Sequence, residues 1–248
     1  MRQNQNQMDA KQLPLGIRLR DTSVFASYFP GRNRSVVDAL AALSARRCGP
    51  SDGPTCVWVH GATSVGKTHL LQAMCARAHV SSENNVQRAA YLPLREVAQL
   101  GGEILSGYGQ FSLVCLDDAE AVAGNAGWER ALFRLHQELD EQCGRLVISG
   151  TAPPAALPFK LADLASRLNG GVVLTVQPLD EREQLEALQL RAQLRGCELP
   201  EETAQFLLRR LPRNMTALCA FLDELDDASL VAQRRLTVPF VKAVMKSA

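Results

Sequence analysis

One segment limits what this chain can fold into more than any other. Residues 61–68 read Gly-Ala-Thr-Ser-Val-Gly-Lys-Thr and fit the pattern GxxxxGK[ST]. An apolar run at 55–60 precedes this segment, and an amphipathic stretch at 69–79 follows it. Loop N–H groups and a helix N-terminus together form a nest for anionic oxygens, so strand, loop and helix in this order predict a phosphate-binding loop.

The residue types of this loop suit a nucleoside di- or triphosphate. Lys67 is expected to reach the β- and γ-phosphates, and the Thr68 hydroxyl is expected to hold Mg²⁺. We therefore predict that the chain binds ADP or ATP with Mg²⁺. The predicted contacts with the nucleotide come from Gly61, Ala62, Thr63, Ser64, Val65, Gly66, Lys67, Thr68 and His69.

A second acidic element supports the first. Residues 113–118 read Leu-Val-Cys-Leu-Asp-Asp, an apolar strand that ends in two carboxylates and resembles a Walker B element. Asp117 is predicted to bind Mg²⁺ through water, and Asp118 is predicted to orient or deprotonate an attacking water. Carboxylates at a strand end are common, so this element alone is weak evidence for a nucleotide site. It becomes strong evidence because it follows a phosphate loop.

The hydrophobic pattern predicts an α/β base with a parallel five-stranded sheet, followed by a small α-helical lid. The expected domains are a flexible arm at 1–20, the base at 21–178 and the lid at 179–248. Predicted strands are 55–60, 89–92, 112–116, 146–149 and 172–176; predicted helices are 67–79, 94–105, 127–141 and 160–168 in the base and 181–195, 201–210, 214–228 and 238–246 in the lid.

Composition excludes several classes of protein. A formal net charge of +1 is not that of a free-standing DNA-binding domain, and 5% aromatic residues argue against a base-stacking surface. The seven cysteines are scattered and include no CxxC pair, which argues against a zinc site or a disulfide framework. No apolar run reaches membrane length, so no membrane partner and a cytoplasmic location are expected.

Four further segments carry a family resemblance. They are VFASYFPG at 24–31, KTHLLQA at 67–73, DLASRL at 163–168 and LTVPFVK at 236–242. With the phosphate loop they resemble the AAA+ domain of DnaA-type replication initiators, and more closely the Hda group of short DnaA homologues that inactivate DnaA. The resemblance spans residues 12–246 and implies an AAA+ P-loop fold with a C-terminal lid.

The resemblance also implies roles for single residues. Tyr28, Phe29 and Pro30 match the segment that packs on adenine. Arg167 matches the arginine finger that stabilises the transition state on a neighbour's nucleotide, although an arginine at a helix end is more often a solvated cation. Arg213 matches the lid arginine called sensor 2, which contacts the chain's own nucleotide.

Two positions depart from the family pattern. Ser64 stands where the loop usually has glycine, and Thr151 stands where an acidic residue often ends the fourth strand. Both departures argue against rapid ATP turnover by this chain alone.

The N-terminal arm carries a short peptide motif. Gln12, Leu13, Leu15 and Ile17 form a Gln-Leu-x-Leu-x-apolar pattern that resembles peptides docking on the sliding clamp of the replicative polymerase. The alternative is an edge strand or a segment folded onto the domain.

These features together predict a negative regulator of replication initiation. Bound to ADP and tethered to the clamp, and through it to DNA, the chain would promote hydrolysis of DnaA-bound ATP. The sequence ends at Ala248, after the lid helices, so the DNA-binding domain of a full initiator is not expected. The alternatives are a non-catalytic adaptor of DnaA-family proteins and an autonomous ATPase of the helicase-loader kind; a homo-oligomer stays open.

Overall fold

Strands and helices alternate along most of this protein. The structure is a computed structural model that describes residues 23–45, 53–80, 89–212, 214–232 and 236–247. All five predicted strands are confirmed, each within one residue of the predicted bounds. They are β1 (Cys56–His60), β2 (Ala89–Pro93), β3 (Leu113–Asp117), β4 (Arg145–Gly150) and β5 (Val172–Thr175).

The helices of the described residues agree with the prediction except at two places. A helix absent from the sequence prediction precedes β1, and the predicted helix at 94–105 is a single α-helical turn. The helices are α1 (Arg34–Ala45), α2 (Lys67–Val80), α3 (Leu94–Val97), α4 (Ala126–Glu141), α5 (Ala162–Gly170), α6 (Glu181–Leu194), α7 (Glu201–Arg210), α8 (Met215–Ala232) and α9 (Val238–Ser247).

Two adjacent glycines explain why α3 stops early. The chain continues as the 3₁₀ turns Ala98–Leu100 and Gly102–Leu105, and Gly101 between them has φ of +82°. A Cβ on Gly102 would stand 2.7 Å from the Cβ of Ala131 on α4. The glycines therefore let this segment bend and lie flat on α4, which a continuous helix could not do.

The five strands form one parallel sheet in the order β2-β3-β4-β1-β5. Every residue of β3 is buried, as expected of a central parallel strand covered on both faces. Helices α1 and α2 pack on one face, and α4 and α5 pack on the other. The carboxyl ends of β1, β3 and β4 consequently meet at one edge of the sheet.

The helices after β5 form their own core. Leucines of α6, α7 and α8 pack together with Leu236 and Val241. Asp180 begins α6 with a capping box, in which its side chain accepts from the N–H of Glu183 while the Glu183 side chain accepts from the N–H of Asp180. Within the described ranges, no helix combines the length and apolar character that a membrane crossing requires.

Candidate functional site

The phosphate loop follows β1 and leads directly into α2. Lys67, the first residue of α2, is 6% exposed. Its Nζ donates to the carbonyls of Gly61 at 2.8 Å and Ala62 at 3.0 Å. Burial lowers the pKa of Lys67, while the carboxylates of Glu120, Asp117 and Asp118 oppose that shift. The ammonium thus lies at the loop and the helix N-terminus, where anionic oxygens bind most readily.

The loop backbone has conformations and close contacts that few side chains permit. Gly66 has φ of +94°, and a Cβ on it would lie 2.7 Å from the Tyr28 ring. A Cβ on Gly61 would lie 2.3 Å from the carbonyl of Val176. Ser64, where the family pattern has glycine, also has a left-handed backbone, with φ of +65°. The loop thus has the left-handed backbone that glycine adopts freely at this position, although that conformation costs conformational energy for a serine.

A buried carboxylate joins the loop to the sheet. Asp117, at the end of β3, is 2% exposed. Its Oδ2 accepts hydrogen bonds from Thr68 Oγ1 at 2.6 Å and from Tyr91 OH at 2.9 Å, and its Oδ1 accepts from Ser149 Oγ. Burial and then Asp117 raise the pKa of Tyr91 well above its usual range. The Thr68 hydroxyl and the Asp117 carboxylate are hard oxygen donors side by side, which fits Mg²⁺.

Tyr91 and Ser149 were missed by sequence reasoning. Tyr91 lies near the end of β2 and Ser149 near the end of β4, the two strands that flank β3. A polar residue close to a strand end was the signal, but it identifies a site only once the strand order is known.

The second carboxylate is held by a basic side chain. Asp118 has a left-handed backbone, with φ of 58°, and its N–H donates to Ser149 Oγ at 3.1 Å. Its Oδ2 accepts from Arg95 Nε at 2.9 Å, and Arg95 Nη2 lies 3.6 Å from Glu120 Oε1. The hydrogen bond to Asp118 raises the pKa of Arg95. The carboxylate predicted to orient water is therefore paired with an arginine that the sequence analysis did not identify.

Thr151, the other departure from the family pattern, lies beside this group. Its N–H donates to Glu120 Oε2 at 3.3 Å. A carboxylate therefore lies close to Thr151 even though that residue itself is not acidic.

The segment before α1 covers the phosphate loop. Tyr28 OH donates to the carbonyl of Val65 at 3.2 Å, and its ring centroid lies 5.5 Å from that of His69. Burial raises the pKa of Tyr28 to about 12, so the phenol stays protonated. Phe29 and Pro30 are half-buried.

His69 anchors the same segment from α2. Its Nε2 lies 3.0 Å from the carbonyl of Val24 and 3.3 Å from Ser27 Oγ. Burial lowers the pKa of His69, and the contact with Val24 opposes the shift. Phe25, from this segment, packs against the core that α1 and α2 form with the sheet.

The next residues of the segment bind the beginning of the lid. Arg32 Nη2 lies 2.5 Å from Asp180 Oδ2, and Arg32 Nε lies 2.8 Å from Glu183 Oε2. Asn33 Nδ2 donates to the carbonyl of Gln177, and the N–H of Gln177 donates to Asn33 Oδ1. The segment that covers the phosphate loop is thus tied to the lid.

Arg167 lies apart from this cluster, in the last turn of α5. Helix α5 leads from β4 into β5, so its last turn approaches the amino-end edge of the parallel sheet. Gly171, which follows it, packs against the carbonyl of Cys56 at the start of β1. The phosphate loop lies at the opposite, carboxyl-end edge. The structure therefore does not bring Arg167 together with the loop of its own chain.

Five of the predicted site residues lie outside the described part of the chain. They are Gln12, Leu13, Leu15, Ile17 and Arg213.

Comparisons with protein-family models match both parts of this architecture. Residues 19–175, more than half of the chain, match the model of the bacterial DnaA ATPase domain. Residues 180–245 match the model of the Hda lid domain.

Solved structures with the same fold include initiators and a DNA motor. Domain III of the Thermotoga maritima replication initiation protein DnaA has a TM-score of 0.74 at 21% identity, covering 93% of this chain and 98% of that one. AMPPCP-bound DnaA from Aquifex aeolicus has a TM-score of 0.64 at 19% identity, covering 84% of this chain and 66% of that one. The RuvB Holliday junction branch migration motor of Thermotoga maritima has a TM-score of 0.58 at 14% identity, covering 90% of this chain and 73% of that one.

Proposed function

Because this chain belongs to the Hda family of DnaA-homologous AAA+ proteins, we propose that it is a negative regulator of replication initiation. It binds ADP or ATP and promotes hydrolysis of ATP held by DnaA. The sliding clamp tethers it to DNA. In this function the chain acts on its partner's nucleotide and need not turn over its own.

Nucleotide binding is supported by the loop and by the similar chains. AMPPCP is bound in the Aquifex aeolicus DnaA structure. In this chain the buried ammonium of Lys67 and the N-terminus of α2 would hold the phosphates. Thr68 and Asp117 would hold Mg²⁺, which would offset charge on the phosphate oxygens. Tyr28 covers the loop, and in this function its segment would pack on the adenine.

The position of Arg167 is the observation that carries the proposal. It is half-buried, and it lies toward the sheet edge opposite its own phosphate loop. An arginine placed there is poorly sited to act on its own nucleotide and can act on that of an adjacent subunit. An arginine finger supplied in trans accelerates hydrolysis by roughly 10³–10⁵-fold in well-studied systems, since it stabilises charge in the transition state.

The pairing of Asp118 supports a low intrinsic turnover. The carboxylate that would orient water is engaged by Arg95, and Ser64 of the phosphate loop has an unfavourable backbone conformation. These features favour a regulator over an autonomous ATPase of the helicase-loader kind.

Clamp tethering is proposed from the sequence of the arm alone. The apolar positions of Leu13, Leu15 and Ile17 would fill a hydrophobic groove while Gln12 makes polar contacts.

Reconstitution with DnaA–ATP, clamp and DNA tests the function directly. Wild type should stimulate hydrolysis of DnaA-bound ATP, and Arg167→Ala should remove most of that stimulation. Arg167→Lys should restore little, because lysine lacks the planar fork that matches phosphate oxygens. Arg130→Ala, an exposed arginine of α4, is the matched control and should stimulate like wild type.

The outcomes separate the three functions. Stimulation that survives Arg167→Ala would favour the non-catalytic adaptor. Hydrolysis that this chain performs alone, without dependence on DnaA, would favour the autonomous ATPase.

A further inference from the structure

One face of α4 lies along α5 from its start to its last turn. The residues on this face are Glu129, Phe133 and His136, at positions i, i+4 and i+7. This spacing places all three side chains on the same side of a helix. Glu129 contacts the start of α5, whereas Phe133 and His136 contact its last turn.

Glu129 fixes the start of α5. It is 1% exposed, and its carboxylate accepts from the N–H groups of Lys160 at 3.0 Å and Leu161 at 2.7 Å. Leu161 is the N-cap residue of α5 and has no capping side chain of its own. A buried carboxylate from another helix therefore satisfies N–H groups at the point where α5 begins.

Phe133 and His136 contact the guanidinium in the last turn. Arg167 Cζ lies 4.8 Å from the centroid of the Phe133 ring. Arg167 Nη1 lies 3.5 Å from Nδ1 of His136, which is 8% exposed. A cation–π contact uses the face of a guanidinium and leaves donors at its edge free. At 3.5 Å the contact with His136 is too long to hold the group strongly.

We propose that Phe133 is a positioning residue that orients Arg167 toward a neighbouring subunit's γ-phosphate, with His136 beside the guanidinium. The inference rests on the proposed function of Arg167 and assigns its supporting side chains. The ring limits the rotamers of a flexible side chain, while its edge donors stay available for phosphate oxygens. Binding to the partner's nucleotide then costs less side-chain entropy.

The protonation state of His136 affects how it interacts with Arg167. Burial and then the Arg167 guanidinium of α5 lower the pKa of His136, while Asp140 on its own helix opposes the shift. A neutral imidazole can accept at Nδ1 from Arg167, whereas an imidazolium would repel it. Stimulation should consequently decline as the pH falls and His136 takes up a proton.

The test uses the reconstituted reaction and three phenylalanine variants of the full chain. Phe133→Leu keeps an apolar side chain but removes the ring, and it should reduce stimulation about 10- to 100-fold, as small misplacements of a catalytic group do. Phe133→Tyr keeps the ring and should retain stimulation. Phe111→Leu is the matched control, because Phe111 packs on the same core but stacks on Tyr108.

The results distinguish this inference from the proposed function. If Phe133→Leu stimulates like wild type while Arg167→Ala does not, the positioning role of Phe133 is overturned. The assignment of Arg167 as the arginine finger is then retained. If wild type gives no stimulation, both are overturned. A loss shared by Phe133→Leu and Phe111→Leu would mean a general loss of packing and would also overturn the positioning role.

A second measurement needs no partner. The pKa of His136, followed by NMR in the free chain, should rise when Arg167 is replaced by leucine, because a neighbouring cation is lost. An unchanged pKa would show that the guanidinium does not lie against His136, which would overturn the inference even where Phe133→Leu is unstable.

Discussion

The pairing of Arg95 with Asp118 leads to a quantitative prediction about turnover. Arg95→Ala should release the Asp118 carboxylate and increase hydrolysis of the chain's own nucleotide. The Arg95 side chain is 64% exposed and that of Asp118 is 30% exposed. A pair this open to solvent contributes about 0.2–1 kcal/mol.

This range sets the size of the effect. At about 0.2–1 kcal/mol the paired form outnumbers the free form roughly 1.4- to 5-fold, so removing the arginine raises the free population roughly two- to sixfold. Single-turnover hydrolysis of bound ATP by the isolated chain should increase by the same factor. High salt should bring wild type closer to the variant, since it screens an exposed pair.

Arg134→Ala is the control for loss of a surface arginine. Arg134 also forms an exposed ion pair, with Glu103 at 3.2 Å, away from the phosphate loop. Its removal should leave turnover unchanged. If Arg95→Ala leaves hydrolysis unchanged or lowers it, the restraint argument fails, and a decrease would indicate that Arg95 itself assists the reaction.

Three further perturbations test the nucleotide site, the arm and a half-buried histidine. Lys67→Ala removes the loop cation, so ADP should raise the melting temperature of the variant much less than that of wild type or of Lys160→Ala; equal shifts would show that ADP binds elsewhere. Leu13→Ala combined with Leu15→Ala should abolish capture by immobilised clamp and leave stabilisation by ADP intact. Undiminished capture would show that the arm does not contact the clamp. Burial lowers the pKa of His69, so the unfolded chain binds the proton more readily, and the free energy of unfolding should fall as the pH drops below about 6.5. His69→Gln should make that fall shallower in unfolding experiments, and an identical slope would count against the argument.

The strands were predictable because their signals are local. Buried parallel strands are short apolar runs bounded by polar turns, and all five runs stand out in the sequence. Helix α1 also carried a usable signal, since its buried positions Val36, Leu40 and Leu43 follow helical spacing. The prediction of a helix at 94–105 was wrong because Gly101 has a positive φ of +82° and Gly102 packs closely on α4.

The contacts of the site could not be predicted because they depend on strand order. Strand β3 lies between β2 and β4, and this order brings Tyr91 and Ser149 to Asp117. Nothing in the spacing of these residues along the chain indicates that they meet. Arg95 likewise carried no motif, and its importance follows from its contact with Asp118.

The structure separates the requirements for holding a nucleotide from those for cleaving it. The binding elements are intact: Lys67 lies in the loop, and Thr68 and Asp117 are in direct contact. The carboxylate predicted to activate water is engaged, because Asp118 is paired with Arg95. A nucleotide that is held but slowly cleaved can act as a lasting structural ligand, and here it would lie beneath the segment that Arg32 ties to the lid. Nucleotide binding would thereby stabilise one lid position.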